Sequence, residues 1–169
     1  MVKRLLILCA AVLLAASCDK EDRKNTYASQ EAAIDNYVSS LSTDYTVVYN
    51  GGVVRVVLEE GTGKTLGSGD SLLFHYSGYT FSYGKGSLFA TNDKEVAEAA
   101  GFITDGKPFR VKFGHSAMVQ GLNKGLEGVK EGEHCYVIFS ARYGYGNQIM
   151  STLPKLTPLL FDIKIDEIR

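Results

Sequence analysis

Residues 119–133 read VQGLNKGLEGVKEGE. Val119, Leu122, Leu126 and Val129 fall at helical spacing and mark one apolar face of a short helix. Gly121, Gly125 and Gly128 interrupt it, although each helical glycine costs roughly 0.5–1 kcal/mol relative to alanine. A chain tolerates such a helix where its backbone must lie close against something else. The flanking sequence supplies that surface. SLLFHYSG places Leu72, Phe74 and Tyr76 on one face, and PFRVKFG does the same with Phe109, Val111 and Phe113. In LLFDIKIDEI, Leu159, Phe161, Ile163 and Ile165 alternate with Asp162, Lys164 and Asp166. This period of two describes an antiparallel sheet with one dry and one wet face. The 119–133 segment is the long helical pattern available in that stretch to cover the dry face. Gly132 ends a turn. Asn123, Lys124 and Glu127 exclude a transmembrane pairing motif built on Gly121 and Gly125.

The first residues carry a different signal. Lys3 and Arg4 precede an apolar run that ends in Ala15-Ala16-Ser17-Cys18. A charged start, a short apolar stretch and a small-residue exit describe a secretory signal. The run is shorter than the ~20 apolar residues that a bilayer span needs. The exit resembles a bacterial lipobox, in which Cys18 receives lipid; a plain signal peptide with an incidental Cys18 is the alternative. The chain divides into a signal peptide at 1–17, a charged tether at 18–28, an N-terminal helix and linker strand at 29–49, and a main domain at 50–169. Within the third zone Ser29 is a candidate N-cap, and Ile34, Tyr37, Val38 and Leu41 form one apolar stripe. That stripe must dock on this domain or on a second copy, making a homodimer. Asn50-Gly51 between two valine-rich runs signals a hairpin.

Other chemistries find no support. The 169 residues carry a net charge of −1, without the basic excess that nucleic acid binding wants. His75, His115 and His134 are isolated, without zinc-ligand spacing, and His75 alternates to the wet face. Cys135 reads as a buried small apolar residue. GTGKT at residues 61–65 lacks the Walker spacing and reads as a turn. The reading implies no metal and no cofactor.

In order, FHYSGYTF, GKPFRVKFG, MVQGLNKGLEGVKEGE, YGYG and LLFDIKI resemble an FKBP-type peptidyl-prolyl cis-trans isomerase domain, in its bacterial envelope lipoprotein form. The resemblance implies an α+β fold, a twisted antiparallel sheet wrapped around one short helix, preceded here by the N-terminal helix. It assigns catalytic pocket roles to Tyr76, Phe89, Phe109, Tyr145 and Phe161. Met118, Val119, Leu122 and Leu153 become substrate-binding residues. Leu122 stands where the family usually has tryptophan. Two departures stand out: Ala90 follows Phe89 where the family usually has aspartate, and the stretch between Phe89 and Phe109 is longer than is typical. Asn92 or Asp93 is a spatial substitute for that aspartate, and DKEVAEAAGF is a helical turn over the pocket rim. Phe74, Phe113 and Phe139 read as core.

The resemblance implies rotation about X–Pro bonds in proline-containing polypeptides of the cell envelope. The chain would be lipid-anchored to a membrane on its periplasmic or surface side. A non-catalytic peptide-binding or structural envelope lipoprotein is the alternative. Cys18→Ala should move the protein from the membrane to the soluble fraction, as cell fractionation would register. Continued membrane association of that variant would contradict lipidation at Cys18.

Overall fold

The structure, a computed structural model, describes residues 2–41, 43–114 and 118–169, with side chains from residue 20 onward. The Cys18 side chain and His115 lie outside the described residues. A long helix, α1 (Val2–Ser40), is followed by a hairpin of β1 (Thr46–Asn50) and β2 (Val53–Glu59). Then come β3 (Ser71–Phe81), β4 (Lys85–Thr91), α2 (Lys94–Ala100) and β5 (Phe109–Lys112). The chain closes with α3 (Gln120–Gly125), β6 (His134–Phe139), a 3-10 turn at Ala141–Tyr143, and β7 (Leu159–Ile168). The seven strands form one antiparallel sheet in the order β1-β2-β6-β7-β3-β4. β5 shares the outer edge of β3 with β4, pairing Phe109 with Phe74. Among the described residues no helix is long and apolar enough to cross a membrane.

The hairpin forms where expected, with Gly51 and Gly52 both at positive φ (54° and 88°), as a two-residue loop between right-twisted strands requires. The glycine-laced helix also forms, but α3 stops at Gly125. Two of its glycines are there for contact. A Cβ on Gly121 would lie 2.4 Å from the Phe139 ring, and one on Gly125 would lie 2.2 Å from Cγ1 of Val137. Gly128 serves differently: its φ of 70° lets the chain turn back toward the sheet. Gly132 is likewise left-handed, in the turn before β6.

Beneath α3 lies a buried ion pair. Arg55 (6% exposed) and Glu133 (3%) approach to 3.2 Å. Arg55 Nη1 also donates to the carbonyls of Gly125 and Glu127, at 2.9 and 2.8 Å. These are among the acceptors that the end of a helix leaves unmet. The sequence signals none of this, because Arg55 sits inside an otherwise apolar strand.

The sheet is dry on more of its second face than alternation implied. On the inner face Leu72, Phe74, Val137, Phe139 and Ile163 pack with Leu122 of α3 and Leu126 at its end. On the outer face Ile34 and Val38 of α1 bury Val54, Val56, Ile138 and Leu160, with Tyr37 and Leu41 packed beside them. The expected stripe therefore docks on its own domain. Gln30 fixes the register by donating to Leu156 O (2.7 Å) and accepting from Ala141 N–H (2.9 Å). The helix does not begin at Ser29. It continues unbroken through 18–28, where the Lys, Glu and Arg of the charged stretch are good helix formers, so the segment read as a tether is helical.

Gly121→Ala and Gly125→Ala should each destabilise the protein by about 1–3 kcal/mol through overpacking, despite a propensity gain in the helix. Urea midpoints measure this. An increase in stability would mean that α3 does not need its close approach.

Candidate functional site

α3 does not fill the concave side of the sheet. Between its first turn and the strands lies a cavity of about 370 Å³. β3 supplies two walls by simple alternation, Phe74 and Tyr76, while His75 between them faces the other way. β7 contributes Phe161, and β5 opens with Phe109, 37% exposed at the mouth. β4 contributes both Phe89 and Ala90, which regular alternation forbids. The register explains it: Gly78 pairs with Ala90 and Tyr79 with Leu88, so Phe89 is the extra residue of a β-bulge. Met118 and Val119 stand at the entry to α3, Leu122 forms the floor, and Tyr145 follows the 3-10 turn.

Eight of the nine residues assigned from the sequence thus line one cavity. The ninth does not. Leu153 is buried in the inner core (4% exposed), and its N–H donates to Met150 O at 2.9 Å. The sequence also missed Phe74 as a wall. Its side chain is core and cavity base together, one ring deep.

The walls interlock through their edges. Phe109 meets Phe74 at 5.5 Å between centroids and 72°, and Tyr76 at 6.3 Å and 85°. Phe89 meets Phe161 at 5.7 Å and 88°. Such edge-to-face geometry places the positive rim of one ring on the negative face of the next. Gly78 makes room for the Phe89–Phe161 pair: a Cβ there would lie 2.7 Å from Cζ of Phe89 and 3.0 Å from Phe161. The polar side-chain groups on the lining are the phenols of Tyr76 and Tyr145. Burial first, then the nearby Tyr145, raises the Tyr76 pKa, so this phenol is a neutral hydrogen-bonding group at ordinary pH.

Neither substitute for a carboxylate at position 90 enters the cavity. Asn92 accepts from Tyr76 N–H at 2.6 Å and donates to the carbonyls of Phe74 (3.2 Å) and Lys107 (3.0 Å). It spends its side chain clamping β3 to the loop that leads to Phe109. Asp93 caps α2 through Glu95 N–H and Val96 N–H and faces Lys164 at 3.4 Å. The inserted segment does form a helix. However, α2 does not lie over the cavity rim: Val96 sits with His75, Asp162 and Lys164 on the opposite face of the sheet.

His75 is less wet than its alternation implied. Nδ1 lies 2.8 Å from Asp166 Oδ2, and Nε2 lies 3.1 Å from Gly106 O. Both partners are acceptors, so only the doubly protonated ring satisfies both. Burial opposes that charge, but the Gly106 carbonyl and then Asp166 and Asp93 outweigh it and raise the His75 pKa. Cys135 is fully buried, and burial pushes its thiol far up, out of reach of nucleophilic chemistry. The glycine loop at 61–65 pairs with the turn before β6: Gly63 N–H donates to Glu131 O, and Glu131 N–H donates to Lys64 O. A Cβ on Gly61 would lie 2.6 Å from Glu131 O, so close backbone approach accounts for that glycine. Among the described residues no group of three His, Cys, Asp or Glu side chains is placed to hold a metal ion.

Residues 63–166 match the family model described as FKBP-type peptidyl-prolyl cis-trans isomerase. Over 120 residues the chain is 30% identical to FK506-binding protein 3 of Eremothecium gossypii, covering 71% of this chain and 25% of that protein. It is 25% identical over 117 residues to FK506-binding protein 1 of Aspergillus oryzae, covering 68% of this chain and 96% of that one. The chain thus spans about a quarter of the first of these relatives and nearly all of the second. Among solved structures, FkpA from Escherichia coli superposes with a TM-score of 0.61 at 18% identity, covering 96% of this chain and 70% of that one. The three FKBP domains of wheat FKBP73 give 0.62 at 19% identity, covering 74% and 51%. At these identities the likeness to the two structures shows a shared fold.

The raised His75 pKa sets a direction for stability. Its contribution is fully present below the unfolded-state value of about 6.5 and is lost as pH rises through the higher folded-state value. His75→Gln should therefore lower the urea midpoint most in mild acid, with the gap to wild type narrowing toward alkaline pH. A gap independent of pH would show that His75 contributes packing alone.

Proposed function

Because the chain belongs to the FKBP-type peptidyl-prolyl cis-trans isomerase family, we propose that it catalyses rotation about X–Pro bonds during folding of cell-envelope proteins. The observation that carries the reading is the cavity itself: six aromatic side chains and an aliphatic floor, with two phenols as its polar side-chain groups. Rotation about a peptide bond crosses a barrier of about 18–20 kcal/mol, because it breaks amide resonance. The planar amide separates more charge than the twisted one. A dry aromatic cavity therefore favours the twisted form over the planar one, which is differential binding without an acid or a nucleophile. The hydroxyl of Tyr145, on the cavity lining, would hold the carbonyl before proline. The Leu153 N–H is a poorer partner, since it already serves Met150.

In this reading the partners are proline-containing polypeptides and, through a lipid on Cys18, a membrane of the cell envelope. The charged start and small-residue exit of 1–17 support a lipoprotein exposed on the periplasmic or surface side. A homodimer through α1 would use helix surface outside the stripe already docked on the sheet. Ala90 favours a second reading, a module that binds proline peptides without turning them over. With Asn92 and Asp93 engaged elsewhere, the cavity wall at position 90 is a methyl group.

A proline-peptide exchange assay separates the two. Uncatalysed exchange takes tens to hundreds of seconds, so acceleration is easily seen. Phe109→Ala should lower the catalysed rate roughly tenfold or more, the loss of at least ~1.4 kcal/mol of transition-state contact. Ala90→Asp should raise the rate. Tight peptide binding without acceleration by the folded wild type would retire the enzyme reading.

A further inference from the structure

The charged residues of α1 are not scattered. Lys20, Arg23, Lys24, Tyr27, Ala28 and Glu31 fall at i, i+3, i+4, i+7, i+8 and i+11, a single helical face. Asp22 falls on the opposite side, while Asp19 and Glu21 border the face, four residues before Arg23 and three before Lys24. This face borders a cleft of about 510 Å³ against the 3-10 turn, and Arg142 closes it from the other side. Four cations therefore converge on one cleft. Its one carboxylate, Glu31, is engaged with the hydroxyl of Ser140 at 3.1 Å. Among the described residues none of the four cations has an ion-pair partner, although ten such pairs form elsewhere. The Arg142 guanidinium rests 5.6 Å from the centre of the Tyr143 ring, which positions it without neutralising it.

Like charges brought together without counter-charge repel, and such a concavity concentrates anions. The cleft is also close to residue 18. At 1.5 Å per residue, Lys20 and Lys24 lie about 3 and 9 Å along the helix axis from it. We propose that the cleft between α1 and the 3-10 turn receives the phosphate groups of anionic phospholipids, laying this face of α1 on the bilayer. The choice of a bilayer over a free anion rests on the lipid-anchor reading of Cys18. The cleft shares no lining residue with the aromatic cavity, so occupying one does not fill the other.

The test uses the full chain carrying Cys18→Ala, so that no attached lipid contributes. Co-sedimentation is measured with vesicles of phosphatidylcholine alone and with vesicles containing phosphatidylglycerol. Neutral vesicles supply the baseline for the apolar N-terminal run. Binding should rise on the anionic vesicles and fall back as salt is added. Each cation removed should lower the anionic increment about fivefold, so Arg23→Gln, Lys24→Gln and Arg142→Gln together should lower it roughly a hundredfold. Arg142→Gln alone leaves α1 intact and should cost about fivefold, which keeps the test informative if the triple variant folds poorly. Equal binding to both vesicle types would overturn the proposal, as would an increment untouched by Arg142→Gln. Saturable binding of inorganic phosphate without any vesicle increment would overturn it too, by making the cleft a site for a soluble anion. None of these outcomes depends on whether Cys18 is lipidated, so failure here and failure of the anchor reading are distinguishable.

Discussion

A six-residue helix has too few internal hydrogen bonds to persist in water, so α3 exists only through its contact with the sheet. That contact is at backbone distance. Gly121 lies under the Phe139 ring and Gly125 under Val137, with no room at either for a methyl group. The end of the helix rests on Arg55, which reaches up from β2 to hold two carbonyls and pairs with Glu133 below. A buried pair of this kind is costly to break, because the partner left behind is an uncompensated charge. The cavity inherits its dimensions from this seat. Met118, Val119 and Leu122 are at one fixed height above Tyr76 and Phe161 because the glycines set that height.

The opposite wall depends on irregularity in the strands. An uninterrupted β4 would send one of Phe89 and Ala90 to the solvent face. The bulge opposite Gly78 and Tyr79 turns both inward, and Gly78 leaves the space that the Phe89 ring takes up. Phe109 is held through the segment before it. His75 grips Gly106 from β3, and Asn92, just past β4, ties Lys107 to the backbone of Phe74 and Tyr76, the β3 walls of the same cavity. The extra length between Phe89 and Phe109 is thus stapled to the strand that carries the site. Its helix packs on the far face, where it leaves the cavity mouth open.

The two faces of the sheet have separate tasks. The inner face holds the apolar cavity; the outer face is covered by α1, which carries a cationic stripe along the part nearest residue 18. On the proposed reading, a bilayer at the cationic cleft and a polypeptide in the cavity would not compete, since the two share no lining residue.

Much of this was legible in the residues. Alternation in SLLFHYSG and LLFDIKIDEI gave the inner face, Asn50-Gly51 gave the hairpin, and the glycines of 119–133 implied a close approach that the structure confirms. Eight residues of the cavity followed from the resemblance to the family's motifs, which those elements carry in order. The failures share a cause. Leu153 lies in an irregular loop with no period to orient it, and the chain turns it into the core. The helix from 94 to 100 was readable, but not the face it would choose, since Asp93 and Lys164 meet only after β7 has been added. Arg55 was hidden because a single charge inside a valine run looks like an exposed exception until Glu133, far along the chain, arrives beneath it. The part of the stripe at 20–28 was read as a tether because charge density alone does not say that the helix continues. Local chemistry, acting within a few residues, determined the elements and most of the aromatic lining. Contacts between residues distant in sequence decided the bulge, the buried ion pair, the side of the sheet that α2 covers and the convergence of Arg142 on α1, since none of these exists until the sheet has closed.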